Sequence, residues 1–246
     1  MTSLRVLSRL FAATLTLAAP VPALAQTVQQ PTPAPPPGEP LPAYKPPPRG
    51  APGGRVGGAS RGTYRTSAPL PTIELLAPAD HTGLSANPAP TLYYFVSGPV
   101  YWPTRFTISA PMQPVPVIDA KITPPSAAGI YALNVSDYQV RLRPGIIYTW
   151  SVSAIIDPNA RSRDLVATAS LLLGTPDPAV ENAVRTASPA RRADLYAQAG
   201  FWYDAVAAAT EAAPFDRDAA LDALMSEVGL GRSEYASDAA RAADAR

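Results

Sequence analysis

The chain has 246 residues and a formal net charge of +1, enough for one domain with extensions or for two small domains. It contains no cysteine, which excludes disulfides, thiolate nucleophiles, Fe–S clusters, cysteine-type zinc sites and a lipid anchor on an N-terminal cysteine. Thirty-one prolines and a single histidine further narrow the chemistry it can carry.

The charge is segregated along the chain. Gln26–Pro69 carries Lys45, Arg49, Arg55, Arg61 and Arg65 against Glu39, a net of +4. Leu70–Leu173 has six basic and six acidic residues, and Gly174–Arg246 has seven basic and twelve acidic ones, a net of −5. Five segments are expected: 1–25, 26–69, 70–173, 174–232 and 233–246.

Met1–Ala25 has the form of a secretory signal peptide. Arg5 and Arg9 form its basic start, Leu10–Ala19 its apolar run, and Ala23-Leu24-Ala25 its small-x-small cleavage site. A membrane-spanning anchor needs ~20 apolar residues, and Pro20 and Pro22 end this run at about half that length. The expectation is cleavage after Ala25, a periplasmic or secreted product, and no transmembrane segment in what remains.

Gln26–Pro69 is rich first in proline and then in glycine. A stiff polyproline II stretch rising ~3.1 Å per residue is expected, followed by a flexible basic one. The glycines follow no strand and precede no Walker lysine, so a phosphate loop is not indicated. A disordered basic tether is the simpler reading, and nothing points to nucleic acid.

From Leu70 the pattern becomes that of short strands separated by Pro- and Gly-containing turns. They are predicted at Thr72–Ala77, Pro90–Val96, Thr104–Ala110, Val115–Ile122, Gly129–Val135, Ile147–Ile156 and Leu165–Leu173. Seven strands in about a hundred residues fit a β-sandwich of immunoglobulin or fibronectin type. Tyr148, Trp150, Val152, Ala154 and Ile156 alternate with Thr149, Ser151 and Ser153, as in a strand with one buried face. Leu142-x-Pro144-Gly145-x-x-Tyr148 is similar to the tyrosine corner of such sandwiches. Pro114 and Pro116 place the fourth strand at a sheet edge, because proline cannot donate to a ladder.

After Gly174 the spacing becomes helical. Ser188-Pro189 offers an N-cap with proline at the first helical position. Helices are predicted over Arg191–Ala199, Trp202–Ala213 and Asp216–Val228. Tyr196-x-x-x-Gly200-x-Trp202-x-x-Ala205, with Ala212 beyond, resembles one tetratricopeptide helical hairpin. The expected class is mainly β with C-terminal α: a seven-stranded sandwich, a helical hairpin and a third helix.

Several blocks together resemble bacterial domain-of-unknown-function family 928. They are the Gly-rich entry Arg49-Gly-Ala-Pro-Gly-Gly-Arg-Val-Gly-Gly58, Gly83-Leu84-Ser85, Pro-Gly-x-x-Tyr148-x-Trp150, Asp157-Pro158 with Arg161-Ser162, and Leu195-Tyr-Ala-x-x-Gly-x-Trp-Tyr-Asp-Ala205. The resemblance implies an envelope-associated module and no catalytic residues to transfer.

No cofactor, metal or catalytic set is indicated. His81 lacks the further N or S ligands a zinc site needs, and no Gly-x-Ser-x-Gly elbow accompanies it. The candidate site comes from topology instead. If the strand assignments hold, Ser97–Pro103 and Asp157–Asp164 lie at one pole. The first brings Tyr101 and Trp102, and the second Asp157, Asn159, Arg161, Arg163 and Asp164. Aromatic and arginine side chains together suit a partner-binding face. The alternative is that Trp102 caps the core while Asp157 or Asp164 holds the arginines. Trp202 and Tyr203 form a secondary candidate, with one expected to pack inward and the other to face a partner, core packing being the role expected of Trp202. The functional expectation is a non-catalytic envelope interaction module with an envelope protein as partner. Binding of a cell-wall glycan by the aromatic pole is the alternative, and a carboxylate-dependent hydrolase stands lower.

Overall fold

The structure is a computed structural model that describes residues 40–47, 53–56 and 70–228. The signal peptide and the tail from Ser233 lie outside the described residues. Eight strands form two sheets, and four helices follow them among those residues.

The strands are β1 (Ile73–Leu75), β2 (Gly83–Ser85), β3 (Thr91–Val96), β4 (Thr104–Ser109), β5 (Ile118–Ile122), β6 (Gly129–Asn134), β7 (Ile147–Ala154) and β8 (Leu165–Leu173). One sheet has the order β1-β3-β6 and the other β2-β8-β7-β4-β5. Period-two alternation drives the layering. In β7 the buried set is Tyr148, Trp150, Val152 and Ala154, and in β8 it is Leu165, Ala167, Ala169, Leu171 and Leu173. Apolar side chains on one face of a strand leave water only if a second layer covers them. Here β1 packs on β7 and β8. The edge position of β5 follows Pro114 and Pro116, which precede it.

Tyr148 secures the entry to β7. Its hydroxyl accepts a hydrogen bond from the Arg143 backbone N–H at 3.0 Å, as the Leu-x-Pro-Gly-x-x-Tyr spacing predicts. In a Tyr148→Phe variant the ring should still fill its place while that N–H loses its partner. The expected cost is about 1–2 kcal/mol, read from urea unfolding with an unchanged m-value.

One strand is additional to the predicted seven. β2 has three residues, too few for an alternation to show, and pairs in parallel with the end of β8, Gly83 opposite Leu171.

The helices are α1 (Pro178–Thr186), α2 (Pro189–Gln198), α3 (Trp202–Thr210) and α4 (Pro214–Glu227). The Ser188 side chain caps α2 by accepting from the Arg191 N–H, and Gly200, at φ +82°, follows its end. α1 was not predicted. It buries only Val184, so it has little apolar periodicity, although Asp177-Pro178 repeats the cap-and-proline signal of Ser188-Pro189.

Helices α2, α3 and α4 share one buried cluster with the sheets, to which Ala193, Ala197, Ala205 and Ala209 contribute small contact residues. The Pro-rich stretch also enters it, at a place where no core was expected. Tyr44 is 6% exposed, its ring lies edge-on to Trp202 at 4.9 Å, and the Lys45 N–H donates to the Ala197 carbonyl at 3.0 Å. A proline-rich strand has no internal hydrogen bonds, so a single aromatic anchor and borrowed backbone partners are what place it.

Candidate functional site

The register of β4 and β7 defines the pole. Thr104 lies opposite Ala154, and just beyond the pair the Ile155 N–H donates to the Pro103 carbonyl at 2.9 Å. The segment entering β4 and the segment leaving β7 therefore share one end of the sheet. Tyr101 projects there with 82% of its surface exposed. Trp102 is half-buried, leans on the core and meets Tyr101 edge-on at 6.5 Å.

The Asp157–Asp164 loop is organised by its own carboxylates. Asp164 is buried and accepts from the Ile156 N–H at 3.1 Å and from Arg161 Nε at 2.6 Å. Asp157 accepts from the Asn159 N–H at 2.9 Å, and Arg163 Nη1 approaches it at 3.5 Å. The acidic residues thus serve the loop, while Tyr101, Asn159 and the exposed Arg161 and Arg163 side chains remain on the surface. The pairings of Arg161 with Asp164 and of Arg163 with Asp157, and the packing of Trp102 on the core, are those of the alternative reading, and they leave an aromatic face beside two exposed, ion-paired arginines. Such groups bind acidic or planar polar partners through bidentate hydrogen bonds and stacking.

Trp202 packs inward as expected, and Tyr203 does so too, against the expectation that one of the pair would face a partner. They are 0% and 2% exposed, which leaves neither ring on the surface for a partner. Successive helical residues point 100° apart, so two neighbours can both face a sheet when the buried stripe is wide. Trp202 Nε1 donates to the Leu76 carbonyl at 2.8 Å. The Tyr203 hydroxyl donates to the Ser170 carbonyl and accepts from Trp150 Nε1, both at 2.9 Å. Asp204 follows, accepting from the Ala86 N–H at 2.8 Å and from the Ser85 hydroxyl at 3.3 Å. A Cβ at Gly83 would lie 2.7 Å from the Tyr203 ring, which explains the glycine in β2. The blocks at Gly83–Ser85 and Trp202–Asp204 therefore form a single helix–sheet contact.

His81 joins the Pro-rich strand to the sheets. Its Nδ1 lies 2.7 Å from Asp80 Oδ1, and its Nε2 lies 2.7 Å from the Tyr44 hydroxyl, with the two rings stacked. With Nδ1–H donating to the carboxylate, Nε2 of the neutral ring accepts from tyrosine. The hydrogen bond from His81 lowers the Asp80 pKa, and burial raises that of Tyr44. A phenol held protonated in this way is a clip between segments and a poor nucleophile.

Among the described residues no group of three or more histidines or carboxylates is disposed to hold a metal ion. No helix among them is long and apolar enough to cross a membrane.

These features define a mainly β protein of two sheets followed by four C-terminal helices, of which α3 packs on β2 and β3. The chain belongs to the family described as Domain of Unknown Function (DUF928), whose model matches residues 56–238. No curated protein and no solved structure matches it.

Proposed function

We propose that the protein is an exported interaction module of the cell envelope that acts by binding and not by turnover. In this reading the two sheets form an immunoglobulin- or fibronectin-like sandwich, and α2–α3 is a tetratricopeptide-like hairpin docked on it. Cleavage after Ala25 releases the chain to the periplasm or beyond, and the Pro-rich segment ahead of the docked Tyr44 acts as a tether. The partner, an envelope protein, meets the pole formed by Tyr101, Trp102 and the Asp157–Asp164 loop.

One observation carries this reading. Tyr101 is almost fully exposed beside Trp102, and the adjoining loop carries Arg161 and Arg163, which are exposed while ion-paired to Asp164 and Asp157. Exposed aromatic and arginine side chains at one place are the composition of interface hot spots. The test is a photo-crosslinking amino acid at position 101 in cells, with the exposed position 121 on β5 as control. A discrete adduct from 101 alone, weakened about tenfold or more by Arg161→Ala with Arg163→Ala, is expected. Absence of an adduct, or the same adducts from both positions, overturns the proposal. Glycan binding by the same aromatic pair predicts instead retention on insoluble peptidoglycan that Tyr101→Ala abolishes.

A further inference from the structure

β6 is an edge strand of the three-stranded sheet, paired with β3 on one side only. Thr91 lies opposite Asn134, and just beyond that pair the Val135 N–H donates to the Pro90 carbonyl at 3.1 Å. A pair bracketed in this way is a widely spaced one, and narrow and wide pairs alternate along an antiparallel ladder. Gly129, Tyr131 and Leu133 therefore exchange backbone bonds with β3. Ile130 and Ala132 turn their N–H and C=O groups to the other side, where no described residue pairs with them. Edge strands are commonly guarded by charge or proline. β5, at the edge of the other sheet, exposes Asp119 and Lys121. β6 reads Gly-Ile-Tyr-Ala-Leu-Asn and has neither guard.

A cleft lies on each face of this edge. On the inner face Tyr94, Tyr131, Leu133 and Tyr138 line a space of about 400 Å³ facing Ile122 of β5. The Tyr94 and Tyr131 rings stack at 5.7 Å, and the Tyr131 hydroxyl donates to the Ala127 carbonyl at 2.9 Å. The Tyr94 and Tyr138 hydroxyls have no hydrogen-bond partner among the described residues, although Tyr94 is only 2% exposed. Lys121 borders this cleft, but strand alternation sends its side chain, with that of Asp119, to the outer face of β5. On the outer face of β6, Tyr93, Ile130 and Ala132 line about 300 Å³ against Leu221 of α4, where Arg217 and Asp218 contribute opposite charges. A strand laid along β6 would point successive side chains alternately into the two clefts. Main-chain bonds then supply affinity, and the pockets on either face supply specificity.

We propose that the β6 edge receives an extended peptide segment of a partner protein as an added strand, with side chains that carry no charge. Its polar ones meet the Tyr94 and Tyr138 hydroxyls on the inner face, and its aliphatic ones enter beside Ile130 on the outer face. An uncharged edge between clefts of no net charge selects against ionised side chains, which would be desolvated there without a counter-charge. Tyr101 lines neither cleft, so this surface is additional to the aromatic pole.

The probe is a phage-displayed library of random dodecapeptides, selected on the purified mature chain. Enriched sequences should alternate aliphatic with uncharged polar residues. The corresponding synthetic peptide should slow amide hydrogen exchange at Ile130 and Ala132 about tenfold or more. Ala132→Pro removes an outward N–H and spares the β3 ladder, because an edge strand tolerates proline where its N–H faces away from the sheet. This variant should remain folded by circular dichroism and bind the peptide about tenfold or more weakly. Tyr101→Ala should leave the affinity unchanged. If Ala132→Pro does not fold, the exchange result on the unaltered chain decides. Absence of an enriched peptide, undiminished binding to folded Ala132→Pro, unchanged exchange at Ile130 and Ala132, or dependence on Tyr101 overturns the assignment. So does a dimer in sedimentation that Ala132→Pro dissolves, since a second copy of the chain would then be the occupant.

Discussion

Trp202→Ala should destabilise the protein by about 3–5 kcal/mol, the usual cost of emptying a buried indole site. Trp202 is fully buried, and its removal would also orphan the Leu76 carbonyl and withdraw the surface against which Tyr44 packs. For a chain of this size the melting temperature should fall by about 10 °C. Tyr203→Phe is the finer probe, because it keeps the ring and removes one oxygen. That oxygen serves both Trp150 Nε1 and the Ser170 carbonyl, so its loss leaves two buried groups unpaired at a cost of about 2–4 kcal/mol. Both variants should unfold in one calorimetric transition, since helices and sheets share a cluster. A separate early transition for the helices, or a shift below about 2 °C for Trp202→Ala, would falsify the view that these two residues lock the helices to the sheets.

Asp204 should make stability depend on pH in the direction opposite to most carboxylates. Its residue is half-buried but the carboxyl is enclosed, and desolvation raises its pKa from 3.8 to about 6 despite the hydrogen bonds from Ala86 and Ser85. Between those values the folded state holds a proton that the unfolded state has released, so stability falls as pH rises. Below pH 3.8 both states are protonated, and above about 6 both are ionised with the full cost present, about 3 kcal/mol. Asp204→Asn removes the ionisation while placing an amide where two donors converge, so it should be destabilising at low pH. The difference from wild type should then shrink by about 2.4 kcal/mol between pH 4 and pH 7. Urea unfolding across that range measures it, and parallel pH profiles for the two proteins would show that the carboxyl is ionised with its ordinary value.

Much of the architecture is legible in the residues themselves. The alternation from Tyr148 to Ala154 specifies a strand with one buried face, because side chains two apart on a pleated strand share a side. Leu-x-Pro-Gly-x-x-Tyr specifies a bond five residues back, a distance short enough for the turn alone to set. Ser188-Pro189 and Gly200 bound α2 for equally local reasons. What escaped is β2, whose three residues cannot show a period, and α1, whose single buried side chain gives no stripe.

The site divides along the same line. That Tyr101 and the Asp157–Asp164 loop share an end follows from strand succession, and the β4–β7 register agrees with it. Which way Trp202 and Tyr203 face, where Tyr44 goes, and that Val56 pairs with Thr168 are not written in any local pattern. The chain alone establishes strands, caps, turns and the absence of cysteine chemistry, because these depend on residues within a few positions of one another. The folded molecule settles the rest, because the partners are remote: Trp202 bonds Leu76 across 126 positions and Asp204 bonds Ala86 across 118. Burial of a polar aromatic is decided by whether such a distant acceptor is there to receive it.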